Sequence, residues 1–187
     1  MDMLRQQVRP ESRIGTWIIN GGTASNVIPA TGELEVTVRH TERDYLNGLS
    51  AQIKKIFEGA ALCTGTTVDV EFYGNPYDDM NQNHRGTHLI EEVMTDMGLD
   101  FEPGPADIGG SSDIGNVSYQ CAAFHPKLRL AGEDKVCHSK EFAAAMLEST
   151  IEQTIVDGAN IIGRTLLRLV ENPAVLEEIV AEFNATK

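Results

Sequence analysis

The chain has 187 residues, of which 41% are hydrophobic and 23% charged, an ordinary globular composition with room for one large domain or two small ones. No stretch approaches the roughly 20 apolar residues that span a bilayer, so no membrane segment is expected. The formal net charge of −13 repels phosphate backbones and argues against a nucleic-acid partner.

In chain order, Leu4 to Val8 reads as the last turn of a helix, and Arg13 to Asn20 as a strand that Gly21-Gly22 ends. From Glu33 to Arg39 the pattern alternates. Leu34, Val36 and Val38 face one way, and Glu35, Thr37 and Arg39 the other, as in a sheet with one buried face. Thr41 is the expected N-cap of the next helix, whose apolar stripe is Leu46, Leu49, Ile53, Ile56 and Ala60, and Gly65 ends it. Thr67 to Phe72 alternates again and is expected to be a further strand. Residues 1–74 therefore read as a two-layer sandwich of one helix on a small antiparallel sheet.

The run Asn75-Pro76-Tyr77-Asp78-Asp79 marks the boundary with a second region, 75–187. A helix is expected from His84 to Met97, with Leu89, Val93 and Met97 in line. Pro103 to Ser112 is a loop, and Ala122 to Leu130 holds a short strand that Pro126 limits to an edge or bend. From Ser139 to Val170 the pattern is helical throughout, and Asn172-Pro173 starts a final helix. The start, Met1 to Gln7, lacks a signal-peptide pattern. Three cysteines without paired spacing, Cys63, Cys121 and Cys137, fit a reducing cytoplasm, with Cys63 expected as a buried small hydrophobe.

Three sets of residues could carry chemistry. Asn26, in the loop after the glycine pair, and Arg39, on the polar face of the second strand, could hold a carboxylate at one sheet edge. A turn-forming Asn and a surface Arg are the plain alternative. Gly110-Ser111-Ser112-Asp113-Ile114-Gly115 offers amides and hydroxyls to an anion, or simply starts a helix. His138 precedes a helix capped by Ser139, where an imidazole is directed as a metal ligand would be. His125 is a second candidate for the same pocket. His40, His84 and His88 show no ligand pattern, and no GxSxG, Walker or dinucleotide motif is present.

Five runs in order resemble the aminoacylase and carboxypeptidase G type of zinc metallopeptidase, metallopeptidase family twenty. They are Leu4-Arg5-Gln6-Gln7; Gly21 to Pro29 (GGTASNVIP); Glu58 to Gly65 (EGAALCTG); Gly110 to Ser118 (GSSDIGNVS); and Cys137-His138-Ser139-Lys140-Glu141-Phe142. The branch is similar to the aminoacylase-like dipeptidases and p-aminobenzoyl-glutamate hydrolases. The resemblance implies an α/β (α+β) fold, with a lid and dimerisation domain in 1–74 and the helical C-terminal part of a catalytic domain in 75–187. It implies that Asn26 and Arg39 grip the substrate carboxylate, that Ser111, Ser112 and Asp113 line the pocket with His125 close by, and that His138 is a metal ligand. Gly15 and Ala122 depart from the pattern, standing where His and Pro are common.

The resemblance implies amide hydrolysis by zinc or manganese, on N-acyl amino acids, dipeptides or aminobenzoyl-glutamate, and a carboxylate-bearing small molecule as substrate. It also implies that the general-base Glu and most metal ligands belong to a part of the family pattern this sequence does not contain. The chain is therefore expected to be a truncated or split half, inactive alone and without stably bound metal. A homo-oligomer such as a dimer, or a separately encoded N-terminal half, would cover apolar faces at Leu89, Val93 and Leu166. The alternative is a non-catalytic oligomerisation or carboxylate-binding module.

Overall fold

A computed structural model describes residues 1–103, 110–130 and 136–186. The chain divides into two compact units, Met1–Asp79 and Met80–Lys187. About 48% of it is helical and its one described sheet has two antiparallel strands, an α+β composition.

The first unit contains α1 (Asp2–Arg5), β1 (Arg13–Asn20), β2 (Glu33–Arg39) and α2 (Arg43–Thr64). The strands pair with Ile14 opposite Val38, Thr16 opposite Val36 and Ile18 opposite Leu34, so these six share one face. Ile14, Val36 and Val38 pack against buried Leu4, Leu49 and Ile53, the last two from the predicted stripe of α2. Each such burial contributes roughly 1.5–3 kcal/mol. Gly65 closes α2 in the left-handed conformation (φ 67°), and its N–H bonds the carbonyl of Leu62. The stretch after α2 is tied back through Arg43, which reaches Tyr77 O at 3.0 Å and Asp78 at 2.9 Å, while the Arg43 N–H bonds Asp79.

The second unit contains α3 (His84–Asp96), α4 (Ile114–Ser118), α5 (Lys140–Ala145), α6 (Thr150–Glu171) and α7 (Pro173–Ala185). Its core is α3 laid against α6 and α7. Leu89 meets Val175 and Ile179, while Ile90 and Met94 meet Ile161. Gly86 lets α3 approach the ring of Phe124, since a Cβ there would stand 1.8 Å from the ring edge. The start of α3 is closed from α7. The Asn83 side chain accepts from Gly86 N–H (2.9 Å) and donates to Ile179 O (2.9 Å). The Glu182 carboxylate accepts from the N–H groups of His84 and Arg85, both at 2.8 Å.

Several expectations are corrected. Thr67 to Phe72 forms no strand. Val68 and Phe72 stay exposed, and just past the segment the Tyr73 hydroxyl bonds the Glu35 side chain of β2, which pushes the Tyr73 pKa up. Alternation alone cannot supply a ladder partner. The same holds for Ala122 to Leu130, an irregular segment held by Ala122, Phe124 and Leu128. The helix expected over Ser139 to Val170 breaks at 146–149, where Met146, Leu147 and Glu148 donate to carbonyls three residues back and tighten the last turn of α5. The N-cap of α2 is Glu42 rather than Thr41, its N–H bonded to His40 Nδ1 at 2.9 Å. Cys63 is exposed. Leu89 and Val93 are buried under α6 and α7. Leu166 is exposed, with Ile155, Ile162 and Val170 at helical spacing on the same side of α6. Of the loop expected at Pro103 to Ser112, residues 104–109 lie outside the described residues.

The cap on α3 makes unit 2 pH-sensitive. Burial pushes the Glu182 carboxyl up, but the N–H groups of Arg85 and His84, with the charges of His84 and His88, outweigh it and hold the pKa below its ordinary value. A depressed acid stabilises the fold above its unfolded pKa and loses that contribution as pH falls through the folded one. Glu182→Gln is expected to melt below the parent chain at pH 7, with the gap closing as the pH drops below about 4. Thermal unfolding followed by circular dichroism across that range checks it.

Candidate functional site

In unit 1 the candidates are Asn26 and Arg39, both exposed. Asn26 lies in the loop 21–32, which leaves the sheet at Asn20 and returns at Glu33. That loop turns tightly at Gly22 (φ 103°), where a Cβ would press on Pro29 at 3.1 Å. Arg39 is at the other end of the hairpin, directly opposite Arg13. Six residue steps of strand separate Arg39 from the loop's attachment at Glu33, roughly 20 Å at the usual rise. The hairpin therefore does not bring the attachment of the Asn26 loop and Arg39 to one end of the sheet. Sequence reasoning did not foresee that Arg13 stands beside Arg39. Its place opposite Arg39 follows only from the pairing register, which an alternation pattern read on one strand does not contain.

In unit 2, Ser111 and Asp113 are exposed and Ser112 is half-buried at the entry to α4. Ser112 Oγ accepts weakly from Ile114 N–H (3.4 Å) and lies 3.5 Å from Asp113 Oδ1. These groups stand at the entry to a short helix whose N-cap, Asp113, makes no side-chain capping bond. His125 is exposed and follows Phe124, whose ring covers Gly86. His138 is exposed and stands one residue before Ser139, whose Oγ caps α5 by accepting from Phe142 N–H at 3.0 Å. His138 is the single described non-glycine residue with positive φ (67°). That conformation is unfavourable for most side chains and sets the direction of the imidazole at the helix entry.

Could these residues hold the metal that the resemblance implies? Among the described residues no three His, Cys, Asp or Glu side chains converge on a point where an ion could sit. A caged zinc takes three or four protein donors. The donor set described in this chain does not fit a complete metal centre, and His138 offers at most one of its ligands.

No family model matches the chain. Three curated proteins are similar to it. Xaa-Arg dipeptidase of Mus musculus is 30% identical over 98% of this chain and 43% of its own length. N-acetyldiaminopimelate deacetylase of Leuconostoc citreum is 32% identical over 48% of this chain and 23% of its own length. A Haemophilus influenzae homolog of a p-aminobenzoyl-glutamate hydrolase subunit is 28% identical over 44% of this chain and 19% of its own length. The chain thus spans about two fifths of the mouse dipeptidase, and less of the other two. All three names describe cleavage of an amide or peptide bond at an amino acid.

The His138 backbone gives a stability test independent of activity. Glycine adopts positive φ without a Cβ penalty, so His138→Gly is expected to raise stability by up to about 1 kcal/mol, and His138→Ala to lower or leave it. Urea unfolding of the two variants beside the parent chain checks the sign.

Proposed function

We infer the function from one premise: the chain belongs to the amidohydrolase type of metallopeptidase family twenty, which these relatives represent. On it, we propose that the chain carries recognition elements for cleavage of amide-linked amino acids, namely N-acyl amino acids, dipeptides or aminobenzoyl-glutamate. The observation that carries this reading is the similarity to a dipeptidase along 98% of the chain. In unit 1, Arg39 supplies a guanidinium for a carboxylate, and Asn26 offers an amide from the loop at the far end of the hairpin. In unit 2, Ser111, Ser112, Asp113 and His125 line a pocket wall, and His138 contributes one imidazole toward a zinc or manganese ion.

The remaining metal ligands and the general base then come from outside these 187 residues, in another polypeptide or in further sequence. Bond cleavage is not assigned to any described side chain, because a single imidazole does not cage an ion. The 187-residue chain incubated with zinc or manganese and N-acetyl amino acids, dipeptides or aminobenzoyl-glutamate is expected to give no turnover and only weak metal binding by calorimetry. Robust, chelator-sensitive hydrolysis by this polypeptide would overturn the reading.

One observation favours pairing as a second role. Ile155 (63% exposed), Ile162 (63%), Leu166 (59%) and Val170 (78%) line one side of α6, an apolar stripe of the kind that partners cover. Size-exclusion chromatography with light scattering is expected to show a species larger than the 20.4 kDa monomer. A compact monomer at micromolar concentration would count against pairing.

A further inference from the structure

The chain leaves β2 at Arg39 and enters α2 at Arg43, and the short connection between them holds His40, whose side chain is only 1% exposed. Buried polar atoms are ordinarily hydrogen-bonded. His40 meets that rule on one side of its ring. Nδ1 accepts from the Glu42 N–H at 2.9 Å, whereas Nε2 has no hydrogen-bond partner among the described residues. Glu11 Oε2 stands 4.0 Å from Nε2, near enough for charges to interact but too far for a hydrogen bond. Glu11 has no other ion pair among the described residues. At the same end of the hairpin, Ser12 Oγ is also buried without a partner.

The bond to Glu42 fixes the tautomer. A backbone N–H can only donate, so Nδ1 presents its lone pair and the proton of the neutral ring is on Nε2. Glu42 is the N-cap of α2 and makes no capping bond with its own side chain. Its carboxylate is taken by Arg9 at 2.8 Å. Arg9 lies 4.4 Å over the Tyr45 ring, which is 4.3 Å from the ring of His40. The groups around His40 are thus Glu11 from the segment before β1, Glu42 and Tyr45 from the start of α2, and Arg9 beyond Tyr45. Arg39, the preceding residue, belongs to the other face of the strand, since Val38 packs toward α2.

We propose that His40 is a proton-operated latch on the start of α2. Neutral, it holds the Glu42 amide. A proton taken from solvent goes to the Nδ1 lone pair, because Nε2 already carries one. Nδ1 is then a donor facing a donor, and the bond to Glu42 is lost. The imidazolium turns its Nε2–H to the Glu11 carboxylate and closes the 4.0 Å gap. Each state makes a bond that the other lacks, so the connection has two discrete arrangements that a proton selects.

The test is nuclear magnetic resonance of the whole, isotopically labelled 187-residue chain, titrated from about pH 8 to about pH 5, the range in which histidine ordinarily changes charge. At the upper end the ring nitrogen signals of His40 are expected to show Nδ1 bare and Nε2 protonated. On acidification the Glu42 amide proton is expected to move upfield, as a donor that loses its acceptor does, with the same midpoint as the His40 ring signals. His40→Asn keeps an acceptor oxygen near the place of Nδ1 and takes up no proton, so its Glu42 amide is expected to hold still. Glu11→Gln removes the charge that receives the imidazolium and is expected to keep the ring on Glu42 to lower pH. A protonated Nδ1 at pH 8, a ring that stays neutral throughout, or a Glu42 amide that ignores the ring's titration overturns the proposal. So does an equal amide shift in His40→Asn. The wild-type signals need no variant, so the proposal is tested even if a substitution unfolds the chain.

Discussion

The amides at the start of α3 are the constraint on which unit 2 depends. The first N–H groups of a helix have no partner within it. Here those of His84, Arg85 and Gly86 are met by side chains, two by Glu182 and one by Asn83. Glu182 lies 98 and 97 positions from its two donors. The cap is therefore also the closure of the unit. It seats α7 across α3, where Val175 and Ile179 can reach Leu89. Asn83 reinforces the closure with its amide on Ile179 O, and Arg85 adds an ion pair to Glu178 at 2.7 Å. The carboxylate is also placed where the helix dipole favours a negative charge. Cap and core act on the same contact: the apolar surfaces drive association, and the directional bonds choose the seating.

Unit 1 rests on a different device, the two-residue period of the hairpin. Once Ile14, Val36 and Val38 are committed to α2, every other residue of the pair is committed to the opposite face. Arg39 is exposed because Val38 is not. A slip of one residue would turn Arg39 toward the helix and Val38 into water. The apolar contact with Leu49 and Ile53 thus fixes which charges the sheet displays, and Arg13 joins Arg39 on the outer face for that reason alone.

What the sequence made legible was local. The stripe Leu49, Ile53 and Ile56, the stop at Gly65, the helix begun at His84 and the Asn172-Pro173 start each depend on neighbours within a turn or two. What it hid needed a distant partner. Thr67 to Phe72 alternates well enough for a strand, but a strand exists only against another. Leu89 and Val93 looked bare because α6 and α7 were not foreseen as their cover. The break after Ala145 hides in a run of good helix formers, where three short-range bonds end the helix without glycine or proline. The candidate site divides in the same way. The place of His138 just before a capped helix and of Arg39 on the exposed face of a strand could be read from near neighbours. That Arg13 stands opposite Arg39 could not, since it follows from register.

The charge of the chain bears on how an anion could find such a hairpin. A protein of net charge −13 repels carboxylates at long range. At physiological ionic strength that field is screened beyond about 8 Å, so an approaching anion responds to the nearest charges. Within unit 1, Arg5, Arg9 and Arg43 are balanced by carboxylates at 2.8–2.9 Å, so those guanidinium groups add little net attraction. Which charges the hairpin displays is set by the packing of its other face on α2, so local geometry governs the near field more than the overall charge of the molecule does.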